Sequence, residues 1–154
     1  MTLRSGHDGE DVLELYGEEL LGRPVLLHGV SLGRSVDVLL DREGLRAVGL
    51  DVLCGDDVHR FLPLPTAAIG EGALTIHSPL VLLEEDELDF YRARAFSLSS
   101  LRGRVVTRRG KDVGKLRVIV VAPHGDLRAV VLEGGERVPF HETLGFAPKR
   151  RTAA

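Results

Sequence analysis

The chain has 154 residues, 44% of them hydrophobic, with no Trp, one Met and one Cys, and a formal net charge of −3. That length allows one domain or two small ones around a core of Leu and Val; the single cysteine, Cys54, excludes an intramolecular disulfide and a multi-cysteine metal site, and no apolar run approaches the roughly 18–20 residues that span a bilayer. The small net charge hides a division: residues 1–97 carry 8 basic and 18 acidic side chains (−10), residues 98–154 carry 12 and 5 (+7).

Taken in chain order, Met1 to Glu10 is polar and acidic and lacks the apolar centre of a signal peptide, so a cytoplasmic location is expected. Leu13, Leu15 and Tyr16 predict a short helix over Asp11 to Leu21. Pro24 to Leu27 reads as a strand closed by the turn His28-Gly29-Val30-Ser31. Arg34 to Leu40 is a second strand, ended by Asp41-Arg42-Glu43-Gly44. Arg46 to Leu53 is a third, with Val48, Leu50 and Val52 alternating at period two. The turn Gly55-Asp56-Asp57 leads into a fourth strand, Val58 to Leu62, and a fifth is expected over Ala73 to Ile76. Glu84 to Ala95 lacks Gly and Pro, sets acidic residues ahead of basic ones, and predicts a helix.

From Leu101 the pattern begins again. At an offset of 81, Gly22, Gly29, Gly33 and Gly44 fall on Gly103, Gly110, Gly114 and Gly125. Between them, Val36-Asp37-Val38-Leu39-Leu40 lies over Arg117-Val118-Ile119-Val120-Val121. One inserted residue then superposes Leu45-Arg46-Ala47-Val48 on the identical Leu127-Arg128-Ala129-Val130. Glycine marks positive φ or close backbone approach, so shared glycines in one register indicate a duplicated fold. Arg60-Phe61-Leu62-Pro63 corresponds loosely to Arg137-Val138-Pro139, and the second copy is shorter after Glu133. Five short strands with closely spaced turns suit a small closed barrel. The expected fold class is therefore all-β, with two tandem small β-barrels joined by a short helical linker.

The run Leu21-Gly22-Arg23-Pro24-Val25, then Leu32-Gly33-Arg34-Ser35-Val36-Asp37-Val38-Leu39-Leu40-Asp41, then Arg60-Phe61-Leu62-Pro63-Leu64-Pro65, resembles the PRC-barrel family. The match runs from Leu20 to about Leu82 and again from Leu101 to about Phe146. It implies an N-terminal segment over 1–19, barrels over 20–82 and 101–147, a linker over 83–100 and a basic tail, expected to be disordered, over 148–154. That family's small β-barrel occurs in the cytoplasmic part of a photosynthetic reaction-centre subunit and in a ribosome-maturation factor. The resemblance implies an adaptor that binds protein or ribonucleoprotein, with no shared catalytic residues. With neither a membrane anchor nor a further domain ahead of the first barrel, the photosynthetic role is not expected and the ribosome-maturation role is weakened.

No residue pattern calls for a cofactor, a metal or an enzymatic mechanism. None of the six histidines forms an i, i+4 or His-x-His pair. The acidic run Glu84 to Asp89 lacks the glycine and ligand alternation of a calcium loop and reads as a solvated helix face. Ser97, Ser99 and Ser100 have no nucleophile elbow around them, and Gly110 to Lys115 lacks P-loop spacing. The functional candidate is basic: Arg102, Arg104, Arg108, Arg109, Lys111, Lys115 and Arg117 fall within sixteen residues, with Lys149, Arg150 and Arg151 near the end. Such a face meets an anionic partner. The expected partner is a protein or a second copy of the chain. The alternative is RNA or a ribosomal particle, although no aromatic residue interleaves the cluster to stack on bases.

Overall fold

The computed structural model describes residues 14–147, apart from 42, 44 and 142. The chain is mostly β. In order it forms β1 (Leu15–Tyr16), a 3-10 turn (Gly17–Leu20), β2 (Pro24–Leu27), β3 (Val30–Asp41), β4 (Ala47–Cys54) and β5 (His59–Pro63). There follow β6 (Ala68–Ile69), β7 (Leu74–Ile76), α1 (Glu85–Arg92), β8 (Ala95–Ser97) and the one-turn α2 (Leu98–Leu101). The second copy contributes β9 (Val105–Arg108), β10 (Lys111–Val121), β11 (Leu127–Leu132), β12 (Arg137–Pro139) and β13 (Leu144–Phe146). No helix among the described residues is long and apolar enough to cross a membrane.

Two sheets result, one ordered β5-β4-β3-β2-β7-β6 with β8 also on β3, the other β12-β11-β10-β9-β13 with β1 also on β10. Neither path closes into the expected barrel among the described residues. The free edge of β5 is taken instead by Leu83, which exchanges both backbone hydrogen bonds with Phe61, at 3.0 and 2.7 Å. The expected helix over Asp11 to Leu21 is also corrected. Residues 11–13 lie outside the described part, and the rest is β1 and its 3-10 turn. Pairing with β10 and full burial of Leu15 override the local helical spacing.

The duplication extends to backbone detail. Along β3 and β10 the same positions are buried, ending in Val38-Leu39-Leu40 and Ile119-Val120-Val121. Both long strands break register against their next neighbour at equivalent places, Ser35/Asp37 and Leu39/Leu40 matching Leu116/Val118 and Val120/Val121. Gly29 and Gly110 both sit at φ 80° in their hairpin turns, preceded by His28 at 51° and Arg109 at 52°. Gly33 lies so near β4 that a Cβ would come within 2.5 Å of the Leu53 carbonyl oxygen.

The pairing corrects one detail of the repeat. Asp41 N–H bonds the Arg46 carbonyl, whereas Ala122 N–H bonds that of Asp126. The second copy's turn is therefore one residue shorter, not longer. Ladder partners then equate Ala47 with Leu127, Leu50 with Val130 and Val52 with Leu132. The identical tetrapeptides are two residues out of structural register. A slip of two keeps every side chain on its own face of a strand, so the polarity pattern matches in either alignment.

The copies are also interlocked. β1, at the head of the first copy, pairs with β10 of the second through Leu15↔Val121 and Tyr16↔Val120. β8, at the head of the second, pairs with β3 of the first through Phe96↔Leu40 and Ser97↔Leu39. Both pairings obey the offset of 81, so they form one reciprocal strand exchange about a pseudo-twofold axis. The segment over 83–100 thus holds α1, near its expected place, and also supplies a strand to the first sheet. Ala47 N–H bonds the Gly125 carbonyl at 2.7 Å and Leu127 N–H bonds that of Leu45 at 3.0 Å. Val25, Val38, Leu50 and Leu74 share one buried cluster with Val106, Ile119, Val130 and Val138.

The outer faces of the two sheets differ. On the first, α1 packs Leu88 against Leu39, Phe61 and Ala95, and Tyr91 stacks on Phe61 at 4.2 Å between ring centroids. On the second, the equivalent face is a small cluster of Val120, Ala129 and Val131.

Candidate functional site

Six of the seven basic candidates are exposed: Arg102, Arg108, Arg109, Lys111, Lys115 and Arg117. The β9–β10 hairpin explains the position of five of them, and Arg102 lies ahead of it, at the end of α2. Arg108 pairs with Lys111 across the turn formed by Arg109 and Gly110, and Lys115 and Arg117 flank the buried Leu116, so both face solvent. No ion pair joins any of the six to a described carboxylate. The same hairpin in the first copy carries Leu27, His28, Val30, Arg34 and Val36 at these places. The charge was thus placed on a backbone that does not require it. Lys149, Arg150 and Arg151 lie outside the described residues.

Arg104 leaves this group. It is half-buried and lines a pocket of about 350 Å³ with Asp37, Asp51, Arg92, Ser97 and Ser100. Its Nε has no acceptor among the described residues. Its counterpart Arg23 is satisfied: Nε donates to the Glu19 carbonyl and a terminal nitrogen to that of Gly70 at 3.0 Å.

The same pocket exposes a network that the charge pattern did not reveal. Asp51 is 5% exposed, yet it lies in the middle of an apolar strand. His59 Nδ1 lies 2.7 Å from one of its oxygens, and Arg92, from the last turn of α1, donates to the other at 2.5 Å. Its ladder partner is Asp37, a second carboxylate. Like charges side by side on a sheet repel, and Asp37 is stabilised separately, by Ser99 N–H at 3.1 Å, Ser99 O–H at 2.5 Å and Val38 N–H at 2.9 Å. In the second copy Asp37 becomes Val118, Asp51 becomes Val131 and Ser99 has Glu18 as its equivalent. Glu18 Oε2 is buried without a partner, and burial raises its carboxyl pKa, opposed by a backbone hydrogen bond and the charge of Arg102. An acid in an otherwise apolar strand was the available signal; its replacement by Val131 shows only in the structural register, since the shared tetrapeptide sets Asp51 over Glu133.

The remaining candidates fall into local roles. Cys54 is buried, its Sγ 3.9 Å from the Val52 carbonyl. His124 pairs with Asp126 at 2.8 Å, which lowers that carboxyl's pKa, and His141 lies 3.2 Å from the Thr143 hydroxyl. Ser100 O–H donates to the Ser97 carbonyl at 2.8 Å. Among the described residues no group of three or more His, Cys, Asp or Glu side chains is placed to hold a metal. No protein-family model matches the chain, and no curated protein matches it significantly.

Proposed function

We propose that this protein is a non-catalytic adaptor, built from two PRC-barrel-like units, whose cationic β9–β10 hairpin docks an acidic surface of a protein partner. The observation that carries this reading is the set of five exposed cations on one hairpin, Arg108, Arg109, Lys111, Lys115 and Arg117, none in an ion pair with a described carboxylate, while the matching hairpin of the other copy is nearly neutral. A predominance of one charge sign on two neighbouring strands of a sheet steers an oppositely charged surface and fixes its register. A cytoplasmic setting belongs to the same proposal.

The second reading is an RNA- or ribosome-associated assembly factor using the same hairpin, favoured by its arginine content. The hairpin offers no aromatic ring on which a base could stack. Charge reversal at Arg108→Glu, Arg109→Glu and Lys111→Glu separates the two. The adaptor reading expects the wild-type chain, used as bait, to retain a defined protein that the reversed variant loses, with nuclease treatment making no difference. Fluorescence anisotropy with labelled single- and double-stranded RNA over a salt series is the counter-test. RNA binding that weakens steeply with salt and disappears on reversal would replace the adaptor with the second reading.

A further inference from the structure

The pseudo-twofold relation allows each place in one copy to be compared with its twin, and one pair of places differs sharply. Around the β1–β10 contact, Leu15, Val121, Ala47 and Leu64 are each at most 2% exposed, and Leu64 reaches to within 3.2 Å of where a Gly125 Cβ would stand. Their structural equivalents around the β8–β3 contact are Phe96, Leu40, Leu127 and Phe140. These line an open pocket of about 520 Å³, completed by Phe146, Leu144 and Leu45. The second copy is shorter beyond β12, and Phe140 and Phe146 stand where the first copy packs its longer chain. One junction between the copies is sealed and the other is a hollow.

The hollow has a specific chemistry. Phe96 and Phe146 meet edge to face at 5.7 Å, with their planes 70° apart, and Phe140 lies 6.3 Å from Phe146 at 47°. All three rings line the one space, with Phe146 inclined to each of the other two. The two charged side chains described in the lining, Asp41 and Glu43, are both carboxylates. Asp41 replaces the buried Ala122 of the sealed twin, so the acid accompanies the opening. An Asp41 oxygen accepts from Glu43 N–H at 3.0 Å, which holds the rim in place. The Arg46 guanidinium donates to the His124 carbonyl at 3.2 Å, and among the described residues neither acid has an ion-pair partner.

We propose that this pocket binds a small organic ammonium ion carrying apolar substituents, its cation set against the three phenylalanine rings and the two carboxylates. A desolvated cation gains from ring quadrupoles and from opposite charge at once, while its apolar substituents fill a volume typical of small-ligand sites. The site adjoins the first strand of the cationic hairpin, since Leu144 and Phe146 of its lining pair with Arg108 and Val106 of β9, but its ligand has the sign that the hairpin would repel.

Titration of the full-length protein with benzyltrimethylammonium, followed by NMR, tests this directly. Benzyl alcohol serves as the neutral probe and phenylacetate as the anionic one. The ammonium is expected to bind about tenfold more tightly than the alcohol, and phenylacetate most weakly. Shifts are expected at Phe96, Phe140 and Phe146 and not at Leu15 or Leu64. Asp41→Asn combined with Glu43→Gln removes the preference for the cation while keeping the weak binding of the alcohol. Phe140→Leu, which restores the residue of the sealed twin, weakens both. Absence of saturable ammonium binding below roughly 10 mM overturns the proposal. So does equal affinity for the three probes, or a cation preference that survives loss of both carboxylates. The adaptor reading is tested by charge reversal at Arg108, Arg109 and Lys111, none of which lines the pocket, so either outcome here leaves it to stand or fall by itself.

Discussion

Asp51 and Val131 occupy the same place in the two sheets, one held by Arg92 and His59 and the other packed among apolar neighbours. Taking a carboxylate out of water is costly, and the cost is offset only while its partners remain. Arg92→Ala strands that carboxylate with His59 alone and is expected to cost about 1–3 kcal/mol by urea denaturation. Asp51→Val, which copies the second sheet, leaves Arg92 and His59 free to rehydrate, since each side chain is 41% exposed. It is expected to cost clearly less than Arg92→Ala; a larger loss from Asp51→Val would show that the network itself stabilises the fold.

Glu18 gives the pH counterpart. Its carboxyl pKa is raised above the ordinary 4.5 in the folded protein, so the folded state holds the proton more tightly than the unfolded chain. Its favourable contribution is complete below the unfolded pKa and is lost as pH rises through the folded one. Glu18→Gln is therefore expected to match the wild type in thermal stability near pH 4 and to exceed it increasingly towards pH 7. An unchanged difference across that range would place the Glu18 carboxylate in water.

At the scale of elements, what could be read from the chain was what depends on local backbone. Gly29 and Gly110 had to mark turns because both adopt positive φ, and the apolar runs of β3 and β10 had to be strands because their burial follows from composition. The exchange of β1 and β8 was invisible, since Leu15 finds its partner at Val121 and nothing local distinguishes a short strand from a helical turn. The shared tetrapeptide misled for the opposite reason, because a two-residue slip leaves facing unchanged. The phenylalanine pocket could not be foreseen either, for Phe96, Phe140 and Phe146 meet only once β8 crosses to β3. Gly49 belongs with the elements too. A Cβ there would stand 2.4 Å from the Phe61 ring and 2.5 Å from the Leu62 carbonyl oxygen. Gly49→Ala is expected to cost about 1–3 kcal/mol and to loosen α1, which stacks on Phe61 through Tyr91. Hydrogen exchange over 85–92 would show that loosening, and unaltered protection there would separate Gly49 from the helix.

For the whole molecule, the reciprocal exchange means that neither copy completes its own sheet. Each lends its first strand to the other, the central core draws on both, and Arg137 in β12 reaches Glu14 beside β1 at 2.8 Å. The two halves then act as one scaffold on which opposite charges and unlike junctions diverged, rather than as two beads on a linker. Cutting the chain after α1 tests this most directly, because Ala93 and Arg94 are exposed and the cut leaves every exchanged strand in place. A protease site inserted between them, cleaved under native conditions, should yield two fragments that stay together as one particle of the intact mass in native mass spectrometry and unfold in a single transition. Fragments that separate as two independently folded species would contradict the interlocked arrangement.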